Sequence, residues 1–222
     1  MKTRLKCLLP LLLSLFVMGL SAQEPFFFNK EGLVLNYANK DAKGKITSYS
    51  ETTVTKVEGS VSDCTIAYKT EVMDAKKKPL LQEPIVTKVT INGGTVKFDP
   101  MTFAGQVTEG MEVTGESFLL PANISVGQEL KDYAVTVAIG PVKTSSAFSN
   151  IKVTAAETLD IGGTAVDCFV VESTVLAKVI GIKQEMKQKI WYARGLGSVK
   201  METYNKKDKL QNSQELIAIS GK

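Results

Sequence analysis

Short runs of alternating apolar and polar residues follow one another along this chain, and turns that contain glycine separate them. Lys88 to Phe98 is one such segment, in which Asn92-Gly93-Gly94 is typical of a tight turn between two strands. Neither half of the chain has the sustained 3.6-residue period of an amphipathic helix. The pattern predicts a mainly β protein with little helix, built as an antiparallel curved sheet or half-barrel.

The stretch from Lys189 to Lys200 has the same form, and it holds the only tryptophan, Trp191, and the only arginine outside the first few residues, Arg194. Side chains two residues apart share one face of a strand, so Ile190 and Tyr192 are expected to face inward and Trp191 to face the other way. A turn that needs glycine conformations is expected to follow this strand. Its glycines are Gly195 and Gly197.

Two parts of the sequence resemble each other. The segment from Val166 to Val175 repeats the pattern of the segment from Val61 to Val72, and Cys168 and Cys64 stand at matching positions. Each segment is followed by a similar strand-turn-strand pattern, which favours an internal duplication, although coincidence among β-rich segments is the alternative. We therefore expect a single mature β domain with two similar meanders. The expected boundaries are residues 23–222 for the domain and about 30–119 and 120–222 for its halves.

The first 22 residues have the form of a secretory signal peptide. A positively charged start, Met1 to Lys6, precedes an apolar run from Cys7 to Leu20 and the small residues Ser21-Ala22. This order predicts cleavage near Ala22 and a periplasmic or secreted mature protein. Cys7 begins the apolar run rather than ending it, so it is not interpreted as a lipid-modified cysteine. No later apolar run reaches the roughly 20 residues of a membrane span, so we do not expect an integral membrane protein.

Composition excludes several classes of function. Removal of Lys2, Arg4 and Lys6 with the signal peptide lowers the formal net charge from +4 to +1. Electrostatic binding to nucleic acid needs a basic patch with several phosphate contacts, so no nucleic-acid partner is expected. Histidine is absent, which excludes Ser-His-Asp catalysis and histidine-ligated zinc. With no cofactor motif either, we predict neither a metal nor a cofactor.

Several short motifs together resemble a known family. Trp191-Tyr192-Ala193 precedes Gly195-Leu196-Gly197-Ser198-Val199-Lys200, and Gly163-Thr164 precedes Asp167-Cys168-Phe169-Val170-Val171. With Leu120-Pro121 and Val126-Gly127, these motifs resemble the secreted TapB-like family of bacterial envelope proteins of unknown function. The resemblance implies a β half-barrel similar to lipoprotein carriers of the LolA type. It supplies no activity that could be assigned to particular residues.

The cysteines and the carboxylates are the first candidates for special chemistry. An exported chain can form a disulfide between Cys64 and Cys168, but the preferred interpretation is two small buried apolar residues. A glycosidase needs two carboxylates in a cleft. Here Asp160 and Asp167 flank turn glycines, and the other acidic cluster lies in an irregular stretch, so no catalytic residue is predicted and we do not expect an enzyme.

The leading hypothesis is an exported binding module whose curved sheet holds an apolar small molecule or a lipid-like group in the bacterial envelope. Trp191 and Arg194 are expected in a concave or exposed place where a ligand or partner docks, unless Trp191 packs under a loop and Arg194 points to solvent. The alternative is a structural or assembly protein of the envelope that binds a partner protein through a patch around Trp191. The candidate contact residues are Trp191, Tyr192, Arg194, Ile190, Ile91 and Val89.

Overall fold

A computed structural model describes residues 23–103 and 110–221. The predicted signal peptide lies outside these residues, so its cleavage site stays a prediction. The described residues form one antiparallel sheet of 13 strands, which is curved and not closed, with one short 3-10 helix, Pro100–Phe103. The prediction of a mainly β protein with a curved antiparallel sheet and little helix is confirmed.

The strands are numbered in chain order. They are β1 (Val34–Asp41), β2 (Ile46–Gly59), β3 (Cys64–Asp74), β4 (Ile85–Asn92), β5 (Thr95–Phe98), β6 (Met111–Gly115), β7 (Phe118–Leu120), β8 (Tyr133–Ile139), β9 (Val142–Ile161), β10 (Thr164–Val179), β11 (Ile182–Ala193), β12 (Gly197–Asn205) and β13 (Leu210–Ser220).

The sheet joins two meanders. From edge to edge its order is β6-β8-β9-β10-β11-β12-β13-β1-β2-β3-β4-β5-β7. Strands β8 to β13 are sequential neighbours, as are β1 to β5, and the two runs meet where β13 pairs with β1, with Val34 opposite Ser220. The internal duplication itself stays a prediction.

Antiparallel meanders place alternate turns at the same end of the strands. The turns after β2, β4, β9 and β11 lie at one end of the strands, and residues 25–28 pack there as well. We call this end of the sheet the packed end. The turns after β1, β3, β8, β10 and β12 lie at the other end. We call it the lysine end, because lysines stand in or beside each of these turns.

β-Bulges allow the sheet to curl. Register shifts occur between Val54 and Lys56 of β2, and at several other strand pairs, and each bulge increases the local twist. The curling brings strands from the two edges of the sheet close together. Phe118 of β7 stacks on Tyr133 of β8, with ring centroids 5.1 Å apart. Tyr133 in turn stacks on Phe148 at 4.3 Å. Side chains from opposite ends of the strand order therefore share one interior.

The N-terminal segment fills the interior near the packed end. Phe26, Phe27 and Phe28 are buried, although they belong to no strand. The ring of Phe27 lies 5.5 Å from Phe98 and 5.9 Å from Tyr68, measured between centroids. The chain thus supplies part of its own core from outside the sheet, which leaves less room for a ligand at this end.

Candidate functional site

A cleft of about 260 Å³ lies on the concave face of the sheet, and we call it the aromatic cleft. Aromatic rings and uncharged polar side chains line it, and none of the lining residues carries a charge. The lining residues are Phe27, Phe28, Tyr37, Ser50, Thr52, Tyr68, Thr70, Phe98, Tyr192, Ser198 and Gln214.

Strand register places these side chains on one face. Tyr37 is paired with Ser50 across β1 and β2, and Thr52 is paired with Thr70 across β2 and β3. Directly paired residues point to the same side of a sheet, so their side chains converge. On the other flank, Tyr192 of β11 is paired with Ser198 of β12. The β1–β13 pairing brings these two flanks together into one wall.

Several polar groups in the aromatic cleft already have hydrogen-bond partners. The Tyr37 hydroxyl donates to the backbone oxygen of Ser198 at 3.1 Å, and the Thr52 and Thr70 hydroxyls are hydrogen-bonded at 3.0 Å. Burial raises the pKa of Tyr37 well above its usual range and raises that of Tyr68 to about 12. Both phenols are therefore uncharged at neutral pH, and the cleft presents a neutral lining.

Of the six residues predicted to contact a ligand, Tyr192 lines the aromatic cleft and the other five do not. Val89 and Ile91 are 2% and 0% exposed in the hydrophobic core, and Ile190 is half-buried against that core. These three side chains therefore pack in or against the core instead of lining the aromatic cleft. Core side chains and the N-terminal phenylalanines occupy the space at the packed end.

Trp191 is also buried rather than exposed. Its side chain is 5% exposed, and its indole Nε1 donates to the Glu157 carboxylate at 2.8 Å. The Lys200 ammonium lies 4.5 Å from the ring centroid, a cation–π arrangement. The prediction of an exposed docking patch around Trp191 is wrong, because β-strand neighbours cover the face on which Trp191 lies.

Arg194 holds three segments together. Its guanidinium lies 4.2 Å from the Phe26 ring centroid and donates to the backbone oxygens of Glu24 at 2.6 Å and Ala122 at 2.8 Å. Arg194 therefore does not simply point to solvent, and its contact with a ligand or partner stays a prediction. The guanidinium instead attaches the N-terminal segment and the stretch after β7 to the β11–β12 turn.

The glycines of the same turn receive the N-terminal segment as well. Gly195 has a φ of 68° and donates its N–H to the Pro25 oxygen at 2.9 Å. Gly197 has a φ of 77°, and a Cβ built there would lie 3.5 Å from the Phe27 ring. The turn accordingly has a structural role in seating the segment that narrows the cleft.

Cys64 and Cys168 are free and buried. They lie on β3 and β10, which are separated by five strands in the sheet, so the disulfide is not formed. The Cys168 thiol donates to the backbone oxygen of Val166 at 3.4 Å. Burial, with the nearby Asp167 and Glu157 carboxylates, raises its pKa to about 11. Burial also raises the pKa of the Cys64 thiol.

Both cysteines are expected to resist alkylation in the folded protein. Only the thiolate reacts, and at pH 8 a thiol with a pKa near 11 is almost fully protonated as well as shielded. Iodoacetamide at pH 8 should label Cys64 and Cys168 only after denaturant is added, as peptide mass spectrometry would show. Rapid labelling of Cys168 in the folded protein would contradict its burial.

A second groove, of about 680 Å³, lies beside Phe26, Phe169 and Arg194. The carboxylates of Glu157 and Asp167 stand in its wall, so an apolar ligand there would bury charged groups. The Asp167 carboxylate accepts a hydrogen bond from Thr158 at 2.7 Å. Within residues 23–103 and 110–221, no three His, Cys, Asp or Glu side chains are grouped to hold a metal ion. The aromatic cleft is the better candidate for an apolar ligand.

A family model described as DUF3108-like matches residues 30–216. The chain belongs to the DUF3108-like family. A search of curated proteins finds no match for this DUF3108-like chain. The match covers most of the predicted mature domain. The likeness to TapB-like proteins and to LolA-type carriers stays a prediction.

Two solved structures resemble the DUF3108-like fold described above. One is a Bacteroides fragilis protein described as exported and as having a YmcC-like fold, with a TM-score of 0.73, 19% identity, and coverage of 89% of this chain and 99% of that one. The other is described as a lipoprotein of Parabacteroides distasonis, with a TM-score of 0.73, 17% identity and the same coverage of both chains. At these identities the likeness shows the fold alone. In the described part of the chain, no helix has the length and apolar character needed to cross a membrane.

Proposed function

We propose that this DUF3108-like protein is an exported, non-catalytic binding module that holds an apolar group of a small molecule or lipid in the aromatic cleft. The observation that carries the proposal is a concave cleft walled by aromatic rings and lined by no charged side chain. The predicted signal peptide supports export, as do the descriptions of the two similar structures as an exported protein and a lipoprotein.

The chemistry of the lining favours an apolar group over an ion. A charged ligand would lose its water without gaining an opposite charge, since no charged side chain lines the cleft. An apolar group pays only a small desolvation cost. The Tyr37, Thr52 and Thr70 hydroxyls that it would cover already have hydrogen-bond partners, so they are not left unpaired when water is displaced. Aromatic rings such as Tyr68 and Phe98 offer it a large contact area.

The volume limits how much of a ligand is enclosed. Sites for drug-sized ligands usually occupy about 300–1,000 Å³, and the aromatic cleft has about 260 Å³. It therefore suits a single ring or the end of an acyl chain. Along β3, exposure rises from the buried Cys64 and Ile66 to the half-buried residues Thr70 to Asp74. The ligand accordingly enters from the side of the lysine end.

Filling the aromatic cleft should abolish most of the binding. In a titration with the neutral apolar dye 1-N-phenylnaphthylamine, Thr70→Phe is expected to weaken binding at least tenfold, about 1.4 kcal/mol or more, because the new ring occupies the ligand's space. Dye fluorescence measures the affinity, and circular dichroism checks that the sheet is retained.

The matched control is Thr65→Phe, the same change on the same strand but on the opposite face. It should bind the dye like the unchanged protein. If the unchanged protein does not bind the dye, or if Thr70→Phe binds it equally well, the aromatic cleft is not the ligand site. If the cleft passes this test, native mass spectrometry of protein purified from its own envelope, followed by lipid extraction, would identify the natural ligand.

A further inference from the structure

Two neighbouring hairpins at the lysine end have apolar tips that no described residue covers. The tips are residues 139–142, between β8 and β9, and residues 179–182, between β10 and β11, and we call them the apolar tips. Ile180 and Ile182 are 75% and 74% exposed. The two tips lie side by side because β9 pairs with β10, with Thr144 opposite Val179. The other exposed apolar residues at or beside the tips are Ile139, Val142, Leu176 and Val179.

Ile180 occupies a backbone conformation that its side chain disfavours. Its φ is 47°, and Gly181 after it has a φ of 81°. Two-residue hairpin turns with positive φ at both positions strongly favour Asn-Gly, whereas a β-branched residue at the first position is rare and strained. An isoleucine that is both strained and exposed contributes nothing visible to the stability of the fold. A role outside the fold would account for it.

Lysines surround the apolar tips. Lys143 follows the first tip, and Lys178 and Lys183 flank the second and are opposite each other in the β10–β11 pair. Each of the five turns at this end, taken with the two residues on either side, carries more lysines than carboxylates. These lysines are Lys40, Lys43, Lys45, Lys76, Lys77, Lys78, Lys143, Lys178, Lys183, Lys206, Lys207 and Lys209. The carboxylates in the same turns are Asp41, Asp74, Glu83 and Asp208.

The packed end has the opposite balance. Its turns, counted in the same way, contain Glu58, Asp63 and Asp160 against the single cation Arg194, which is already held by backbone oxygens. The chain, whose predicted mature form is nearly neutral, therefore separates its turn charges along the strands. Such a separation orients a protein in front of a charged surface.

We propose that the apolar tips insert into an anionic lipid surface, with the lysine end facing that surface. Burial of exposed isoleucine and valine side chains at the boundary between head groups and acyl chains lowers the free energy. Lysines near that boundary are attracted to anionic lipids. A soluble polyanion would explain the lysines but not the exposed isoleucines. The proposal does not rest on ligand binding in the aromatic cleft, although the side of the cleft that is more exposed is the side of the lysine end.

Vesicle flotation with the mature protein tests the proposal. The protein should bind vesicles of phosphatidylcholine with phosphatidylglycerol, bind pure phosphatidylcholine vesicles at least tenfold more weakly, and lose affinity as salt is added. The double variant Ile180→Asn/Ile182→Thr should bind at least tenfold more weakly. Because Asn-Gly suits the turn, this variant should melt at the same temperature or higher, so a loss of binding cannot be attributed to unfolding. Its affinity for 1-N-phenylnaphthylamine should be unchanged.

Two further variants separate the contributions. Lys178→Gln/Lys183→Gln should weaken binding to the anionic vesicles by up to about fivefold for each lysine removed. Val61→Asn/Ile219→Thr, a matched apolar-to-polar change of exposed residues at the packed end, should bind like the unchanged protein. Absence of vesicle binding, equal binding to both vesicle types, or full binding by the Ile180→Asn/Ile182→Thr variant would each overturn the proposal. So would tip-dependent dimerisation without vesicle binding, which would assign the tips to self-association.

Discussion

Replacing Phe27 with alanine is expected to lower the free energy of unfolding by about 3–5 kcal/mol. The Phe27 ring lies against Phe28, Tyr68 and Phe98 and is buried although it belongs to no strand. Its loss leaves a cavity that the hydrogen-bonded strands around it cannot collapse to fill. Denaturant unfolding measures the change, with Trp191 fluorescence as the reporter, because this single tryptophan is buried and lies on the sheet itself.

The control for this prediction is Leu80→Ala. Leu80 is an exposed apolar residue in the turn between β3 and β4, so its truncation should change stability by less than about 0.5 kcal/mol. A change below about 1 kcal/mol for Phe27→Ala would mean that the N-terminal segment does not belong to the core. The aromatic cleft would then be wider than described, since Phe27 and Phe28 form part of its wall.

Replacing Gly59 with alanine should destabilise the fold by about 2–4 kcal/mol. Gly59 has a φ of 123°, and an added Cβ would lie 2.2 Å from the backbone oxygen of Asp63. The clash is with backbone, so the β2–β3 turn itself must shift. The Asp63 carboxylate in this turn accepts the Gly93 N–H at 2.8 Å, so the displacement also reaches the β4–β5 turn. Thermal and denaturant unfolding measure the loss.

Gly44 provides a matched comparison in the β1–β2 turn. Its φ of 78° also disfavours alanine, but no atom lies within 4 Å of the added Cβ. Gly44→Ala should therefore show only the conformational penalty, about 1–2 kcal/mol. Equal losses at Gly44 and Gly59 would show that the crowding at Gly59 relaxes easily.

The sheet could be predicted from the sequence because alternation and turn glycines are local signals. The turn at Asn92-Gly93-Gly94 and the strand before Gly195 both stand where the pattern predicts them. The same alternation could not show which face would be covered. Val170 and Val171 are both buried, as are Trp191 and Tyr192, because both faces of the sheet are covered in this region. A rule that assigns one face to the core therefore misplaced Trp191.

The candidate site depends on contacts between residues far apart in the chain. Arg194 donates hydrogen bonds to the backbone of Glu24 and Ala122, and Trp191 donates one to Glu157. The sequence around Arg194 and Trp191 does not predict these partners. The aromatic cleft likewise combines the N-terminal Phe27 with Gln214 near the other end of the chain. The apolar tips did carry a local signal that the sequence analysis missed, namely an isoleucine before Gly181 where a hairpin turn normally has asparagine.

The pairing of β1 with β13 has a consequence for the order of folding. Val34 lies opposite Ser220, so the first strand cannot complete its hydrogen bonds until the last strand has been synthesised. Pairing between strands so far apart in the chain slows folding, because the intervening chain must be ordered first. Until β13 arrives, β1 and β12 present unpaired edges that attract other chains. A nascent or truncated chain without residues 210–220 should therefore behave as a client for chaperones rather than as a smaller folded protein.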